Sequence, residues 1–97
     1  MKGKKIDVVD KKRLDKYFAL TQKAFGIVKK SVNKKRIKDA EEIILMVGCY
    51  LEDAGYFEKK KDYVNAFACL NYAHGWLDAG SRLGIFDVTD NGLFVVK

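Results

Sequence analysis

The chain has 97 residues, of which 48% are hydrophobic, so it is long enough for one domain and too apolar for a disordered chain. No apolar run approaches the ~20 residues that a membrane-spanning helix needs. The charged N-terminus has no apolar segment after it, so it does not resemble a secretion signal. We therefore expect a cytoplasmic protein with no membrane partner.

The net charge of +6 is unevenly distributed along the chain. Residues 1–38 carry 14 Lys and Arg against 3 acidic residues, whereas residues 39–97 carry 5 against 10. A basic front segment of this kind could bind nucleic acid, because contacts to phosphate need little more than clustered positive charge.

The two cysteines, Cys49 and Cys69, do not form a metal-binding pattern. They lack a CxxC spacing, and the chain has one His, so a zinc site is not expected, nor is any other cofactor. We expect both side chains to pack in or near the core as small apolar groups. A disulfide between them is geometrically conceivable, but intracellular disulfides are rare.

The first predicted helix spans about residues 7–33 and is amphipathic. Its apolar side chains recur at alternating steps of four and three, which places them on one face, while lysines cover the opposite face. We expect the apolar face to pack in the core rather than on a membrane. This face consists of Leu14, Phe18, Thr21, Phe25, Val28 and Val32.

The second predicted helix spans about residues 39–58 and follows a basic linker at 34–38. Asp39 is its expected N-cap, and Glu42 follows at the spacing of a capping box. The helix is apolar over a wide arc, which favours a central position in a bundle.

The third predicted helix spans about residues 62–84, after a short polar turn at 59–62 that makes it an antiparallel neighbour of the second. Asp62 is its expected N-cap, and Gly84 is the expected C′ residue, where a positive φ is needed. Small residues recur at steps of seven along one face, which predicts close approach of a neighbouring helix. They are Ala66, Ala73 and Gly80.

The character of the sequence changes after Gly84. Residues 85–88 and 93–96 are β-like, and the Asp90-Asn91-Gly92 sequence between them is a turn signal. Since a two-stranded hairpin alone is marginally stable, we expect this segment to dock on the bundle or to contact a partner. The predicted fold is all-α: residues 1–97 form one antiparallel three-helix bundle, with a short extended tail or β-hairpin at 85–97.

Three polar residues on the third helix form a candidate site. His74, Asp78 and Arg82 are spaced by four, so they lie in a line in which Asp78 could orient His74. This arrangement allows a small-ligand or enzymatic site. The commoner explanation is a structural ion pair at the bundle edge. We see no second reacting group, and we do not expect an enzyme.

Aromatic residues on a different face of the same helix form a candidate interface. Tyr72 and Trp76 are four apart, and their rings with polar tips suit contacts to another protein. The alternative is partial burial beneath the C-terminal segment. Apolar residues of that segment, Phe86, Leu93 and Phe94, complete the candidate interface.

A candidate nucleic-acid site lies in the linker. Lys34, Lys35, Arg36 and Lys38 form a basic patch. No aromatic residue is interleaved with them and no nucleic-acid motif is present, so a solvated charged face is the alternative.

The third helix and the stretch before it carry a set of residues at characteristic spacings: Tyr50, Asp53, Ala54, Phe57, Asp62, Ala66, Tyr72, Ala73, Gly75, Leu77, Asp78, Ala79, Gly80, Arg82, Leu83, Gly84 and Phe86. With these residues the chain resembles a small archaeal family called domain of unknown function three-five-seven (DUF357). The resemblance covers about half the chain and implies an antiparallel bundle of long helices, but no activity. Lys61 stands where the family usually has Gly, which predicts a different turn.

These patterns leave three classes of function open. The first is a non-enzymatic protein-interaction or accessory domain, for which a homodimer is one form. The second is a nucleic-acid accessory protein that uses the basic patch. The third is a ligand-binding or enzymatic site at His74, Asp78 and Arg82.

Overall fold

The computed structural model describes residues 10–88, which form three α-helices, α1 (Lys11–Lys29), α2 (Ile37–Lys59) and α3 (Tyr63–Arg82). A 3₁₀ turn at Lys34–Arg36 precedes α2. Within these residues no strand forms, so the predicted all-α three-helix fold is confirmed. None of the described helices is long and apolar enough to cross a membrane. Residues 89–97, with the predicted turn and second β-segment, lie outside the described residues, as do residues 1–9.

α1 is shorter than the predicted 7–33 at both ends. The Asp10 carboxylate accepts the backbone N–H of Arg13 at 2.8 Å, so Asp10 is the N-cap and the helix begins after it. At the other end the chain leaves the helix to pair with residues 85–87. Val32 and Phe86 form an isolated antiparallel bridge, and the Asp87 N–H donates to the Ser31 carbonyl at 2.7 Å. This tertiary pairing overrides the helical periodicity of the sequence.

α2 begins before the predicted N-cap. The preceding 3₁₀ turn is capped by Asn33, whose side-chain oxygen accepts the Lys35 N–H at 3.0 Å. The helix then starts at Ile37, which places Asp39 in its first turn, where it pairs with Arg36 at 2.9 Å. The prediction that Asp39 caps this helix was therefore wrong, because Asn33 starts the helical turns earlier.

The position of the turn between α2 and α3 and the roles of Asp62 and Gly84 at the ends of α3 follow the predictions. Asp62 is the N-cap of α3, with its carboxylate accepting the Asn65 N–H at 3.2 Å. Gly84 follows the end of α3 with a φ of 76°. Lys61 has a φ of 61°, so this lysine adopts the left-handed conformation that glycine favours.

The three helices share a core in which small residues of α3 face α2. Ala66, Ala73 and Gly80 are fully or almost fully buried, which confirms the predicted close approach. A Cβ on Gly80 would lie 2.5 Å from Cε2 of Phe86 and 3.1 Å from Cδ1 of Ile43. Phe86 thus fills the space that the missing Cβ leaves. It is 1% exposed, so the prediction that it belongs to an interface surface was wrong.

The two cysteines lie in different environments. Both are free thiols, with Cys69 buried and Cys49 exposed. The expectation that both pack in the core is therefore wrong for Cys49, since it lies on the solvent side of α2.

Candidate functional site

α3 carries two flanks with different neighbours. One faces α1 and carries His74 and Asp78. The other lies beside α2 and carries Tyr72 and Trp76. Residues two positions apart lie about 200° apart around an α-helix, which is why His74 and Trp76 point to opposite sides.

On the α1 flank, four residues form a polar cluster: Tyr17, Thr21, His74 and Asp78. Nε2 of His74 lies 3.8 Å from an Asp78 carboxylate oxygen, and the side chains are 14% and 27% exposed. On the other side of the ring, Nδ1 lies 3.3 Å from the hydroxyl of the fully buried Thr21. α1 therefore covers the His ring and gives it a hydrogen-bonding partner.

Tyr17 closes the polar cluster on its outer side. Its ring stacks on His74 with centroids 5.8 Å apart and contacts Phe67 at 5.0 Å. Burial raises the pKa of the Tyr17 hydroxyl, and the Asp78 carboxylate adds to the effect. Tyr17 and Thr21 were not predicted as site residues. Thr21 is the one polar residue on the predicted apolar face of α1, which was a signal that its hydroxyl would need a buried partner. Nothing in the sequence distinguishes Tyr17 in this way.

Arg82, the third predicted residue of this site, is exposed and ends α3. Beside the polar cluster lies an open hollow of about 300 Å³, lined by Arg13, Lys16, Tyr17, Leu20 and Phe67. Among the described residues, no group of three His, Cys, Asp or Glu side chains could hold a metal ion. The contacts with Tyr17 and Thr21 can hold the His74 ring in place. A ligand site at His74, Asp78 and Arg82 stays a prediction.

On the α2 flank, cross-helix contacts define an antiparallel register centred on Lys61. The rings of Tyr50 and Tyr72 lie 5.5 Å apart, and each residue is eleven positions from Lys61. Met46 and Trp76 are also equally distant from Lys61 in the sequence, so the same register places them opposite each other. Near the open end, an Arg36 N–H donates to the Leu83 carbonyl at 3.5 Å.

We call the apolar residues on this flank of the helix pair the hairpin face: Met46, Tyr50, Tyr72, Trp76 and Leu83. Tyr72 is 61% exposed, Trp76 40% and Leu83 64%. The two predicted aromatic residues thus lie together on the surface, whereas Leu93 and Phe94 lie outside the described residues. Leu83, which was not among the predicted residues, is also exposed and continues the line of Tyr72 and Trp76 seven positions after Trp76.

The predicted basic patch lies at the end of the bundle where the linker joins α2. Lys34, Lys35 and Arg36 form the 3₁₀ turn, and Lys38 follows in the first turn of α2. The three lysines are exposed, whereas Arg36 is paired with Asp39. Two further lysines at the end of α1 line a hollow of about 390 Å³ together with Lys34. They are Lys29 and Lys30.

The model of a family described as a protein of unknown function (DUF357) matches residues 16–86. The chain belongs to this family. The match covers the three helices except the first residues of α1, together with Phe86, and so confirms the resemblance. No curated protein and no solved structure matches the chain. The description of the family assigns no activity, so membership by itself assigns none to this chain.

Proposed function

We propose that this DUF357 protein is a non-enzymatic protein-interaction or accessory domain of the cytoplasm, and that the hairpin face is its contact surface. The observation that carries the proposal is the exposure of Tyr72, Trp76 and Leu83 along one line of α3. Single exposed apolar residues are ordinary, but a contiguous group is characteristic of a binding surface. Tyr and Trp are also the residues that contribute most to binding energy at protein interfaces.

Site-specific crosslinking tests this function. A photoreactive phenylalanine analogue replaces Trp76 in one variant and the exposed Lys23, on α1, in a control variant, and both are irradiated in an extract of the source cells. We expect a discrete adduct from position 76 and none from position 23. Equal labelling from both positions, or no adduct from position 76, would contradict the proposal. An adduct of twice the chain mass would identify a second copy as the partner.

The basic patch supports nucleic-acid binding as a second candidate function. Lys34 lines one hollow with Lys29 and Lys30, and the exposed Lys35 and Lys38 follow it within four positions at the same end of the bundle. Clustered cations of this kind bind phosphates with an affinity that falls steeply as salt increases.

Titration against labelled single-stranded RNA and duplex DNA over a range of salt tests this candidate. We expect micromolar binding that a K34E/K35E/K38E variant loses. Arg36 is left intact in that variant because its pairing with Asp39 helps to hold the start of α2. A control variant with the same charge change on α1, K12E/K16E/K23E, should bind more tightly than the patch variant. Equal losses would show that net charge, rather than the patch, drives binding.

A further inference from the structure

The open hollow between α1 and α3 has an apolar floor. Its volume is about 300 Å³, and it is lined by Arg13, Lys16, Tyr17, Leu20 and Phe67. The ring centroids of Tyr17 and Phe67 are 5.0 Å apart, and Leu20 is 37% exposed. The volume lies at the lower end of the range of small-molecule sites. The hollow therefore offers apolar contacts to a small ligand.

The α1 side of the hollow is basic. Arg13 and Lys16 are the charged residues of the lining, and both are exposed. Nε of Arg13 lies 4.0 Å from a carboxylate oxygen of Asp10, but the Arg13 side chain is 81% exposed, and an exposed pair at this distance contributes little. The guanidinium can therefore turn to a ligand. Two further exposed lysines of α1, Lys12 and Lys23, add to the positive charge of this helix.

The second acidic residue of the described part of α1 lies away from the hollow. Asp15 pairs with Lys11 at 2.9 Å, and Lys11 also pairs with Glu58 of α2 at 3.1 Å. Asp15 is thus on the side of α1 that faces α2, whereas the hollow is on the side that faces α3. Its carboxylate does not offset the charges of Arg13 and Lys16.

The α3 side of the hollow is uncharged. Residues 63–77 contain no Asp, Glu, Lys or Arg. The acidic residue before this stretch, Asp62, caps the start of α3, and the one after it, Asp78, lies 3.8 Å from His74 in the polar cluster. The charge of Asp78 reaches Tyr17, but Asp78 does not line the hollow. The charges that line the hollow are therefore both positive.

We propose that this hollow binds a small amphiphilic anion, a carboxylate with an unbranched apolar chain. The chain covers the apolar floor, and the carboxylate meets the two cations at the α1 edge. From Arg13 to Leu20 the helix rises about 10 Å, which sets the length of a short chain. Phe67 lies nine positions before Trp76, and therefore on the opposite side of α3 from the hairpin face. The inference goes beyond the proposed interaction function and does not depend on it.

The lining favours an apolar chain over a nucleobase or a peptide. Its residues lie within α1 and α3, whose backbone N–H and C=O groups are hydrogen-bonded along the helices. The hydroxyl of Tyr17 is the one uncharged polar group among the lining side chains. A base or a peptide backbone would lose water from several polar groups and find few partners, which costs free energy. An alkyl chain has no such groups.

Two-dimensional NMR of the full chain, labelled with nitrogen-15, tests the site. The probes are octanoate, octanol and octylammonium, which share one alkyl chain and differ in the charge of the head group, at concentrations that form no micelles. We expect octanoate to shift the amide signals of Tyr17, Leu20 and Phe67 saturably, with a Kd of about 1 mM or tighter. Octanol should bind at least about threefold more weakly, and octylammonium more weakly still.

Charge variants locate the head group of the ligand. We expect R13E/K16E to weaken octanoate at least about fivefold and to reverse the preference between octanoate and octylammonium. A matched control, K34E/K35E, makes the same charge change on exposed lysines at the other end of the bundle. It should change the Kd less than about twofold, because charges this far away are screened by salt.

Apolar variants locate the chain of the ligand. L20S should weaken all three probes at least about threefold, because it removes apolar surface from the floor of the hollow. The control L45S makes the same substitution at a position on α2 that is 60% exposed, and it should leave the affinity unchanged.

Several outcomes would overturn the inference. They include no saturable binding of octanoate, equal binding of octylammonium, equal effects of R13E/K16E and K34E/K35E, and octanoate shifts confined to the hairpin face. Shifts of the hollow amides that depend on protein concentration without any probe would assign the hollow to a second copy instead. The crosslinking result from position 76 is independent of all these outcomes, so either proposal can fail without the other.

Discussion

His74 and Trp76 lie two positions apart on α3, yet the histidine is the more covered of the two side chains. His74 is packed under Tyr17 and hydrogen-bonded to Thr21, while Trp76 is 40% exposed. Trp is highly buried on average in folded proteins, and His is less so. The difference arises because α1 covers the side of the α2–α3 pair on which His74 lies, and no described helix covers the side on which Trp76 lies.

The comparison shows which flank contributes to stability and which is available for contacts. On the α1 flank, a covered polar group requires a partner, and Thr21 supplies one to His74. On the α2 flank, the rings of Tyr72 and Trp76 keep a large part of their surface exposed in the folded chain. That surface is available for burial against a partner. Mutations on the two flanks should therefore differ in their effect on the free energy of unfolding.

The largest difference is expected between Phe86 and Trp76. Phe86→Ala removes a fully buried ring that packs on Gly80, so it should lower the free energy of unfolding by about 3–5 kcal/mol. Trp76→Ala should lower it by less than about 1 kcal/mol, because the ring lies on the surface. Urea denaturation followed by far-ultraviolet circular dichroism measures both. A loss for Trp76→Ala equal to that for Phe86→Ala would show that the hairpin face belongs to the core.

Two glycines of α3 should respond in opposite directions to the same substitution. Gly80→Ala places a Cβ 2.5 Å from the buried Phe86 ring and should destabilise the protein by about 1–3 kcal/mol. Gly75→Ala meets nothing within 4 Å and should stabilise it by up to about 1 kcal/mol through helix propensity. Thermal denaturation of the two variants provides the measurement. Stabilisation by both substitutions would mean that α2, α3 and Phe86 pack less closely than described.

Removal of a hydroxyl should matter on one flank only. Thr21→Val keeps the shape of a buried side chain but removes its hydrogen bond with His74, at a cost of about 1 kcal/mol. Tyr72→Phe removes an exposed hydroxyl and should change the free energy of unfolding by less than about 0.5 kcal/mol. Chemical denaturation at neutral pH compares the two, and equal effects would remove the distinction between the flanks.

The smallest effect concerns the thiol of Cys69. Burial raises its pKa, and the negative charge of Asp53 adds to the effect, so the folded chain holds the thiol proton more tightly than the unfolded chain does. The associated stability is present below the pKa of a free thiol and is lost as the pH rises through the raised pKa. Asp53→Asn should lower the pKa of Cys69, which shifts its alkylation profile to lower pH.

Mass spectrometry of the alkylated protein follows each cysteine separately. Cys49, which is exposed, serves as an internal comparison and should react faster than Cys69 in the folded protein. A profile for Cys69 that moves to higher pH in Asp53→Asn would contradict the placement of Asp53 beside α3.

Local sequence rules predicted the features that depend on neighbouring residues. The three helices, the Asp62 cap and the positive φ at Gly84 all follow from side chains a few positions away. The same rules were wrong about Asp39, because Asn33 caps a 3₁₀ turn just before it. They also gave α1 an extra turn, because Val32 pairs with Phe86, which is distant in sequence.

The candidate site depended more on tertiary contacts. Spacing on α3 grouped His74 with Asp78, which lie 3.8 Å apart, and Tyr72 with Trp76, which are both exposed. Spacing gave no information about Thr21 and Tyr17, which come from another helix. Phe86 was predicted to lie at the surface, but it is buried. Its burial depends on Gly80, six positions earlier, which leaves space for the ring.

The sequence by itself determined that this chain forms three amphipathic helices, because helical periodicity and capping act over three or four residues. The tertiary structure decided which flank of α3 is covered. Both flanks carry aromatic residues at helical spacing, and no local rule distinguishes them. That choice depends on where α1 docks, and its docking is stabilised by burial of side chains that are about fifty positions apart in the chain, as with Thr21 and His74.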